Sequence, residues 1–471
     1  MSEEFVSERL ASISVQLDFA KLPDSTRLAA TLHWLDGLGV TVGGSVSAAG
    51  GVARNYLSEV AGDSSLKPLS PFAPSPMRTR ADDDAFLLGT YAFSENYGDT
   101  SLRSVAHPNT VVIPAVLAAA RARPVPGSKL LSAVVAGYQA MEFLARSLNN
   151  GEPRMGHQLR GFRPSASAGA VGAAITVAHA WDLPHDITKA AVEIACNYGG
   201  GLRRHGPGPT SSIRVHSGES ARGGMTAVLL AANGLEGEGE MIEGSGGFLR
   251  AYMADSLDVG AEIYLNDSAW AVEDVAFKLH STAHTLHTAL DCILDLVRDG
   301  VRADKIEEIE ILIPAQHATI SASTPYSPPR TAAAAGGSYP YCGAVAAVTG
   351  DYVWPERLDA YLQDSEVELL ADRTKVLIDD RQSDIFDTES GTWPATVTIT
   401  DSGGSYRRER REPRGLLVDA ELERDLTRKF VRLASRTLSE TGAERLADKT
   451  MRIYEASDSY QFLSSAFEEE R

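Results

Sequence analysis

The run from Ser165 to Ala174 restricts the fold more than any other part of the chain. It consists of Ala, Gly and Ser with a single Val, and the helix-compatible pattern continues to residue 180. Side chains this small let a helix approach its neighbours closely, which favours a place at the centre of a helical bundle. Further segments with helical periodicity can supply those neighbours: 27–42, 128–148, 188–198 and 220–233.

The pattern changes after about residue 265. A helix is predicted at 282–298, and Ile309, Ile311 and Ile313 then alternate as in a half-buried strand. A second strand is predicted at 395–400, and further helices at 343–349 and 419–436. We therefore expect a mainly α protein with an α+β part. A large helical domain would comprise residues 1–266 and 415–471, and a smaller α+β lid domain residues 267–414.

Composition narrows the classes of partner. The 471 residues carry a net charge of −19, which argues against nucleic acid and anionic membranes. The exception, Arg407–Glu412, alternates Arg with Glu and is more typical of a solvated strand end or turn. Three scattered cysteines indicate a reducing compartment without a disulfide framework. With an acidic N-terminus and no apolar run of about 18 residues, the sequence predicts a cytoplasmic protein.

Polar groups suited to acid/base chemistry gather between Asn96 and His107. Asn96, Asp99, Thr100 and His107 precede a long apolar run that begins at Val111. Such groups at the mouth of a buried helix can hold acid/base chemistry on a rigid support. The alternative is structural, with Asp99 and Thr100 capping the helix.

Three histidines invite comparison with a metal site. His280, His284 and His287 have spacings of four and three, which would put them on one face of a helix. The sequence has no HExxH motif and no acidic ligand close to them, so packing histidines with satisfied hydrogen bonds are the favoured interpretation. No metal site is predicted.

An ordered set of motifs resembles the MmgE/PrpD family, whose members include 2-methylcitrate dehydratase, cis-aconitate decarboxylase and iminodisuccinate epimerase. The resemblance extends from about Leu10 to Leu446. It is carried by these motifs: Leu35–Val40, Gly43–Ser45, Gly89–Thr90, Asp99–Thr100, His107–Pro108, Gly161–Ser165, His216–Gly218, Lys278 and Pro340–Tyr341. It implies a helical domain with an α+β lid, a homodimer, and an active site between the domains. It also implies small polycarboxylate substrates and no metal or organic cofactor.

The resemblance implies catalytic roles for three residues. His107 would be an acid or base, Lys278 a cation or proton donor, and Tyr341 a donor to an oxyanion. Their structural alternatives are a histidine beside Pro108, a solvated lysine and an aromatic core residue. Substrate-binding roles are implied or inferred for Asn96, Thr100, Arg163, Arg214 and His216, of which His216 is better suited to organising its loop.

Several positions depart from the family pattern. Asn96 stands where the family has an aspartate, Gly98 replaces another acidic residue, and Phe93 and Arg163 each replace a histidine. Ile213 replaces a lysine, although Arg214 is adjacent. These exchanges remove negative groups and keep or add positive ones, and arginine binds carboxylate and phosphate bidentately. We therefore expect a cleft that binds anions more strongly than is usual in the family.

The resulting hypothesis is a cofactor-independent lyase. It would remove a proton beside a carboxylate or similar group of a small anionic substrate and expel water or another leaving group, such as phosphate. Epimerase and decarboxylase activities are alternatives within the family. An inactive homologue retained for binding or as a scaffold is the alternative from another class.

Overall fold

The computed structural model describes residues 5–61, 80–149, 155–203, 211–253, 262–266, 269–320, 328–389 and 391–468. The N-terminal part of the described chain is helical. Its helices are α1 (Val6–Gln16), α2 (Asp24–Gly44), α3 (Ala48–Ala61), α4 (Ala81–Phe93), α5 (Asn109–Ala122), α6 (Gly127–Asn149), α7 (Gly156–Leu159), α8 (Pro164–Ala180), α9 (His185–Ala195), α10 (His216–Ala232) and α11 (Phe248–Met253).

The small-residue helix α8 lies at the centre of this bundle, as predicted. Each of its residues is buried, and it packs against α6, α10, α5 and α9. The approach is close: a Cβ placed on Gly172 would lie 2.9 Å from the Met141 Cβ of α6, and one on Gly224 of α10 would lie 2.4 Å from the Ala173 Cβ. Larger residues at these positions would force the helices apart.

The following part of the chain mixes helices with a sheet. Its helices are α12 (His287–Arg298), α13 (Ala315–Ile320), α14 (Ala332–Ala335), α15 (Tyr339–Thr349), α16 (Pro355–Ala360), α17 (Ser365–Asp372) and α18 (Asp380–Thr388). Its strands are β3 (Ile306–Ile313), β4 (Thr374–Ile378), β5 (Ala395–Asp401) and β6 (Gly404–Arg410), and the short strands β1 (Thr100–Ser101) and β2 (Val275–Ala276) pair separately.

Within the described residues the sheet order is β4-β3-β5-β6. β3 is parallel to β4 and antiparallel to β5, with Ile311 opposite Val376 and Val397. Ile309, Ile311 and Ile313 are all buried, as their alternation predicts. The arginines of 407–410 are not at a strand end but along the edge strand β6, where charged side chains protect the open edge.

The chain then returns to the first helices. α19 (Ala420–Ala434), α20 (Glu440–Met451) and α21 (Ser459–Glu468) complete the described structure. α19 packs on α2, where Gly39 and Gly43 leave room for Phe430 and Leu433. The predicted fold class, mainly α with an α+β part, is confirmed. The domain boundaries at 266/267 and 414/415 remain predictions.

One predicted helix is shorter than expected. The helix placed at 282–298 begins only at His287, after a 3-10 turn at His284–Leu286. The preceding backbone is tied elsewhere, because the Ser281 and Ala283 amides donate to the Val353 and Gly336 carbonyls. None of the described helices combines the length and apolar composition that crossing a lipid bilayer requires.

Candidate active site

The loop between α4 and α5 carries several of the predicted site residues. Asn96 adopts a left-handed conformation (φ 53°), which asparagine tolerates better than most residues. Thr100 and Ser101 then pair with β2, with Thr100 opposite Ala276. This pairing brings the loop beside the segment that contains Lys278. Residues nearly 180 positions apart in the sequence thus meet through a two-residue ladder.

A buried ion pair between α2 and α19 anchors the loop between α4 and α5. Lys429 of α19 lies 2.6 Å from the Asp36 carboxylate of α2, and both side chains are almost completely buried. The Lys429 Nζ also donates to the Tyr97 and Lys278 carbonyls, each at 2.8 Å. One ammonium group thereby holds both segments that carry site residues. An ion pair this deep is costly to break, because each partner would be left as an uncompensated charge.

Asp99 lies at the centre of the same network. Its carboxylate accepts from the Asn109 amide (3.0 Å) and the Tyr138 hydroxyl (2.5 Å), and it lies 3.0 Å from the His33 ring. The N-cap residue of α5 is Pro108, but the bond from the Asn109 amide to Asp99 satisfies a donor in the first turn, so Asp99 has a structural role there. The Asn109 side chain donates in turn to Asp36 (2.8 Å), which joins the cap to the ion pair.

His107 follows this loop and is buried. Its Nδ1 lies 2.7 Å from the Asp99 carbonyl oxygen, which can only accept, so Nδ1 must carry a proton. In the neutral ring, Nε2 then bears the lone pair. Burial lowers the pKa of His107 well below its usual value, and the nearby Lys278 and Arg163 charges lower it further. The ring is therefore neutral near pH 7 and can accept a proton at Nε2.

Thr100 supports this arrangement. Its hydroxyl donates to the same Asp99 carbonyl (2.8 Å) and lies 2.9 Å from His107 Nδ1. In this structure Thr100 therefore orients the imidazole and does not cap α5. Its predicted contact with a substrate carboxylate would require the hydroxyl to turn.

Lys278 is almost completely buried and bound to Asn96. Its Nζ donates to the Asn96 carbonyl (3.1 Å), the Asn96 Oδ1 (3.0 Å) and the Thr282 carbonyl (3.2 Å). Burial lowers the pKa of Lys278 well below its usual value, and the charges of Arg163, Lys429 and Arg214 add to the effect. An anion bound nearby would offset the repulsion from these charges and favour the ammonium form.

Phe93 contacts two arginines. The guanidinium groups of Arg163 and Arg214 lie 4.8 and 5.6 Å from the centre of its ring, and the His107 ring is 5.4 Å away. Arg214 also donates to the Phe93 carbonyl (3.3 Å). Burial lowers the pKa of Arg163 to about 9 and that of Arg214 to about 10, so both remain charged at neutral pH. Phe93, where the family has a histidine, supports these cations through its ring faces.

His216 lies at the start of α10, close to this cluster. A Cβ placed on Gly201 would lie 3.3 Å from its Nδ1, and Arg163 is near enough to affect its titration. Burial, with a smaller contribution from Arg163, lowers the pKa of His216 to about 4. His216 is therefore neutral and can organise the loop or donate a hydrogen bond.

Tyr341 differs from the other predicted site residues. It lies in α15, and its hydroxyl donates to the Leu358 carbonyl at 3.0 Å. That proton is therefore engaged, and the predicted donation to an oxyanion would require the bond to break. The described contacts bring His107, Lys278, Arg163, Arg214, Asn96 and Thr100 into one cluster.

The three spaced histidines do form a cluster, although not on one helical face. His280 precedes the helix and bonds to Asp291 (3.2 Å) and the Val353 amide (3.1 Å). His284 stacks on His287 at 4.3 Å, and their ring nitrogens have no hydrogen-bond partner among the described residues. The prediction of packing residues is supported, but the prediction of satisfied hydrogen bonds is wrong for two of them. No group able to hold a metal ion occurs in the described part of the chain.

Sequence reasoning missed Lys429 and Asn109. A signal for Lys429 existed, because it lies on the apolar face that Leu422, Leu426 and Phe430 form on α19. A lysine in such a stripe is buried only with a partner, here Asp36. Asn109 gave no such signal.

Sequence comparison with known proteins adds to this geometry. Residues 8–258 match the family model of the MmgE/PrpD N-terminal domain, and residues 280–452 match that of the MmgE/PrpD C-terminal domain. The chain is 26% identical over 238 residues to cis-aconitate decarboxylase of Mus musculus, and 26% identical over 237 residues to that of Homo sapiens. These matches cover 50% and 49% of this chain and 46% and 48% of the relatives. The chain thus spans about half the length of the curated relatives it matches.

Proposed function

The chain belongs to the MmgE/PrpD family, and on this premise we propose that it is a cofactor-independent lyase acting on a small anionic substrate. The reaction begins when a base removes a proton from carbon beside a carboxylate or similar group. The developing negative charge is held by buried cations until water or another leaving group departs.

The observation that carries this proposal is the state of His107. A neutral imidazole with its proton fixed on Nδ1 offers the Nε2 lone pair to a substrate. Its low pKa makes it a weak base in the empty site. A bound anion would offset the charges of Lys278 and Arg163 and so raise that pKa toward the working range. Substrate binding and activation of the base are thereby linked.

In this proposal the two arginines and Lys278 have different tasks. Arg163 and Arg214 bind an anionic group of the substrate, since they stay charged and present flat, fork-shaped donors. Lys278 stabilises the enolate-like charge, because its ammonium group is desolvated where such a charge is worth most. Asn96 holds Lys278 in place without supplying the negative charge that an aspartate would bring. Thr100 fixes the His107 ring.

Decarboxylation is the second candidate, and the two relatives named cis-aconitate decarboxylase favour it. It would use the same cations to hold the charge left on carbon, with carbon dioxide as the departing group. The two reactions differ in what is released, so detection of carbon dioxide separates them. Because Phe93 and Asn96 depart from the family pattern, we expect a substrate other than cis-aconitate.

The experiment uses purified full-length protein in D2O with a panel of small dicarboxylates and tricarboxylates, with and without a β-leaving group. Proton NMR follows deuterium entering the carbon beside a carboxylate, and product formation. We expect exchange or elimination with at least one compound, lost in His107→Gln. His185→Gln is the matched control, because His185 lies elsewhere and bonds to Ser12.

Two outcomes would refute the proposal. One is full activity in His107→Gln. The other is the absence of both exchange and product across the panel while the protein still binds these anions, which would indicate a binding homologue.

A further inference from the structure

The turn that leads into His107 contains a strained residue. Val105 has a left-handed backbone (φ 60°), which is rare for a β-branched side chain. The turn closes through two backbone bonds: the Val105 amide donates to the Ser101 carbonyl (3.0 Å), and the Ser101 amide donates to the Ala106 carbonyl (2.9 Å). This reversal brings His107 back beside Thr100. Such a conformation persists only where surrounding groups hold it, and it often occurs at functional sites.

Helix α6 holds this turn at Ser104. The Ser104 hydroxyl donates to the Glu142 carboxyl group (2.9 Å) and accepts from the Ala106 amide (3.1 Å), one residue before His107. Asn149, two helical turns after Glu142 on the same side of α6, donates to the Ser104 carbonyl (2.5 Å). A hydroxyl has a single proton, so Glu142 as its acceptor leaves the Ser104 lone pairs for the Ala106 amide.

Glu142 has no part in the chemistry proposed above, yet it is buried as few glutamates are. It is 1% exposed, and a carboxylate in such a place is costly unless it is hydrogen-bonded. Burial raises the pKa of Glu142 to about 7, against hydrogen bonds from Ser101 and Ser104 that lower it. The carboxyl group has an acceptor oxygen whether or not it is ionised. Glu142 can therefore hold Ser104 on either side of neutral pH.

Resting on the proposed function, we propose that Glu142 is a positioning residue for His107. It fixes the Ser104 hydroxyl and, through it, the turn that precedes the histidine. That turn places the His107 Nδ1 at the Asp99 carbonyl and leaves Nε2 available to the substrate. The His107 amide is held from another side by the Ser165 hydroxyl of α8 (2.8 Å). The imidazole is thus set by two helices, α6 and α8, that pack against each other.

The test removes the acceptor and follows the His107 ring. Glu142→Met fills a similar space but cannot accept from Ser104, whereas Glu142→Gln keeps a carbonyl oxygen there. Glu193→Met is the matched control, because Glu193 is also buried and accepts from a serine hydroxyl, that of Ser7, between α1 and α9. With histidine labelled by a nitrogen isotope, NMR detects the hydrogen-bonded Nδ1 proton of His107, which is identified by its absence in His107→Gln.

We expect this signal to shift or broaden in Glu142→Met and to stay in place in Glu142→Gln and Glu193→Met. With a substrate found in the panel above, kcat of Glu142→Met should fall about 10- to 100-fold, because a small misplacement of a catalytic group is costly. KM should change little, since the buried cations that bind the substrate keep their places. Ser104→Ala breaks the same link and should give the same pattern, which decides the question if Glu142→Met does not fold.

An unchanged His107 signal in Glu142→Met, or an equal loss of kcat in Glu193→Met, would overturn the positioning role and assign Glu142 to stability of the fold alone. So would full kcat despite a shifted signal. Circular dichroism establishes that each variant is folded. If no compound in the panel turns over, the lyase proposal fails while the NMR signal still tests the position of His107, so the two proposals fail separately.

Discussion

Replacing Lys429 with methionine should destabilise the protein strongly. Methionine fills a similar space, but the Asp36 carboxylate loses its 2.6 Å partner, and the Tyr97 and Lys278 carbonyls each lose a donor. Breaking a pair this deeply buried costs about 3–5 kcal/mol, because one charge remains without compensation. We therefore expect the free energy of unfolding, measured by urea denaturation at neutral pH, to fall by about 4 kcal/mol.

The loss of stability in Lys429→Met should depend on pH, and its direction can be predicted. Burial already raises the pKa of Asp36, and the Lys429 charge opposes that rise. Without Lys429 the pKa rises further, so the folded variant binds a proton more readily than the unfolded chain. Its stability deficit relative to the native protein should therefore shrink as the pH falls through the raised pKa of Asp36.

A double variant separates lost charge from lost packing. Asp36→Asn combined with Lys429→Met removes both charges and keeps an oxygen that can accept from Asn109. Its cost should be clearly smaller than that of Lys429→Met alone. A single-variant cost below about 1 kcal/mol, or a double variant at least as unstable as the single, would refute the reasoning.

Three further predictions concern the loop and its histidine. Gly98→Asp, which restores a family acidic residue, should lower the melting temperature, because a Cβ there would lie 2.3 Å from Thr110 Cγ2. Asn96→Asp keeps the shape of the side chain and should weaken the binding of small dicarboxylates in calorimetry, since a carboxylate at 3.0 Å would neutralise Lys278. The lowered pKa of His107 keeps the base deprotonated, so kcat/KM should not fall between about pH 8 and 6.5 and should decline only below that range. A midpoint at or above about pH 7 that disappears in His107→Gln would contradict this assignment.

The elements that were predicted correctly from the sequence are those whose burial is encoded by nearby residues. The α8 run and the alternating isoleucines of β3 repeat with the period of their own element, so burial of one face can be inferred from nearby residues. The start of α12 was predicted too early because its pattern continues through 282–286. There, hydrogen bonds to Val353 and Gly336, far along the chain, override local preference.

The sequence indicated candidate residues for the site but not the contacts between them. His107 and Lys278 were singled out by resemblance, and Asn96, Arg163 and Arg214 by departures from the family pattern. The Lys429 contact with Tyr97 spans 332 residues, and no local pattern encodes such a pairing. The bond from the Tyr341 hydroxyl to the Leu358 carbonyl likewise joins two separate helices, α15 and α16.

A crystal structure with bound malonate, a small dicarboxylate, tests the central claim most directly. The account predicts a carboxylate beside the guanidinium groups of Arg163 and Arg214, and the methylene carbon about 3–3.5 Å from His107 Nε2, the distance that proton transfer requires. An anion held elsewhere, for example in the open groove beside Arg407 and Arg408, would contradict it. So would a methylene carbon turned away from His107.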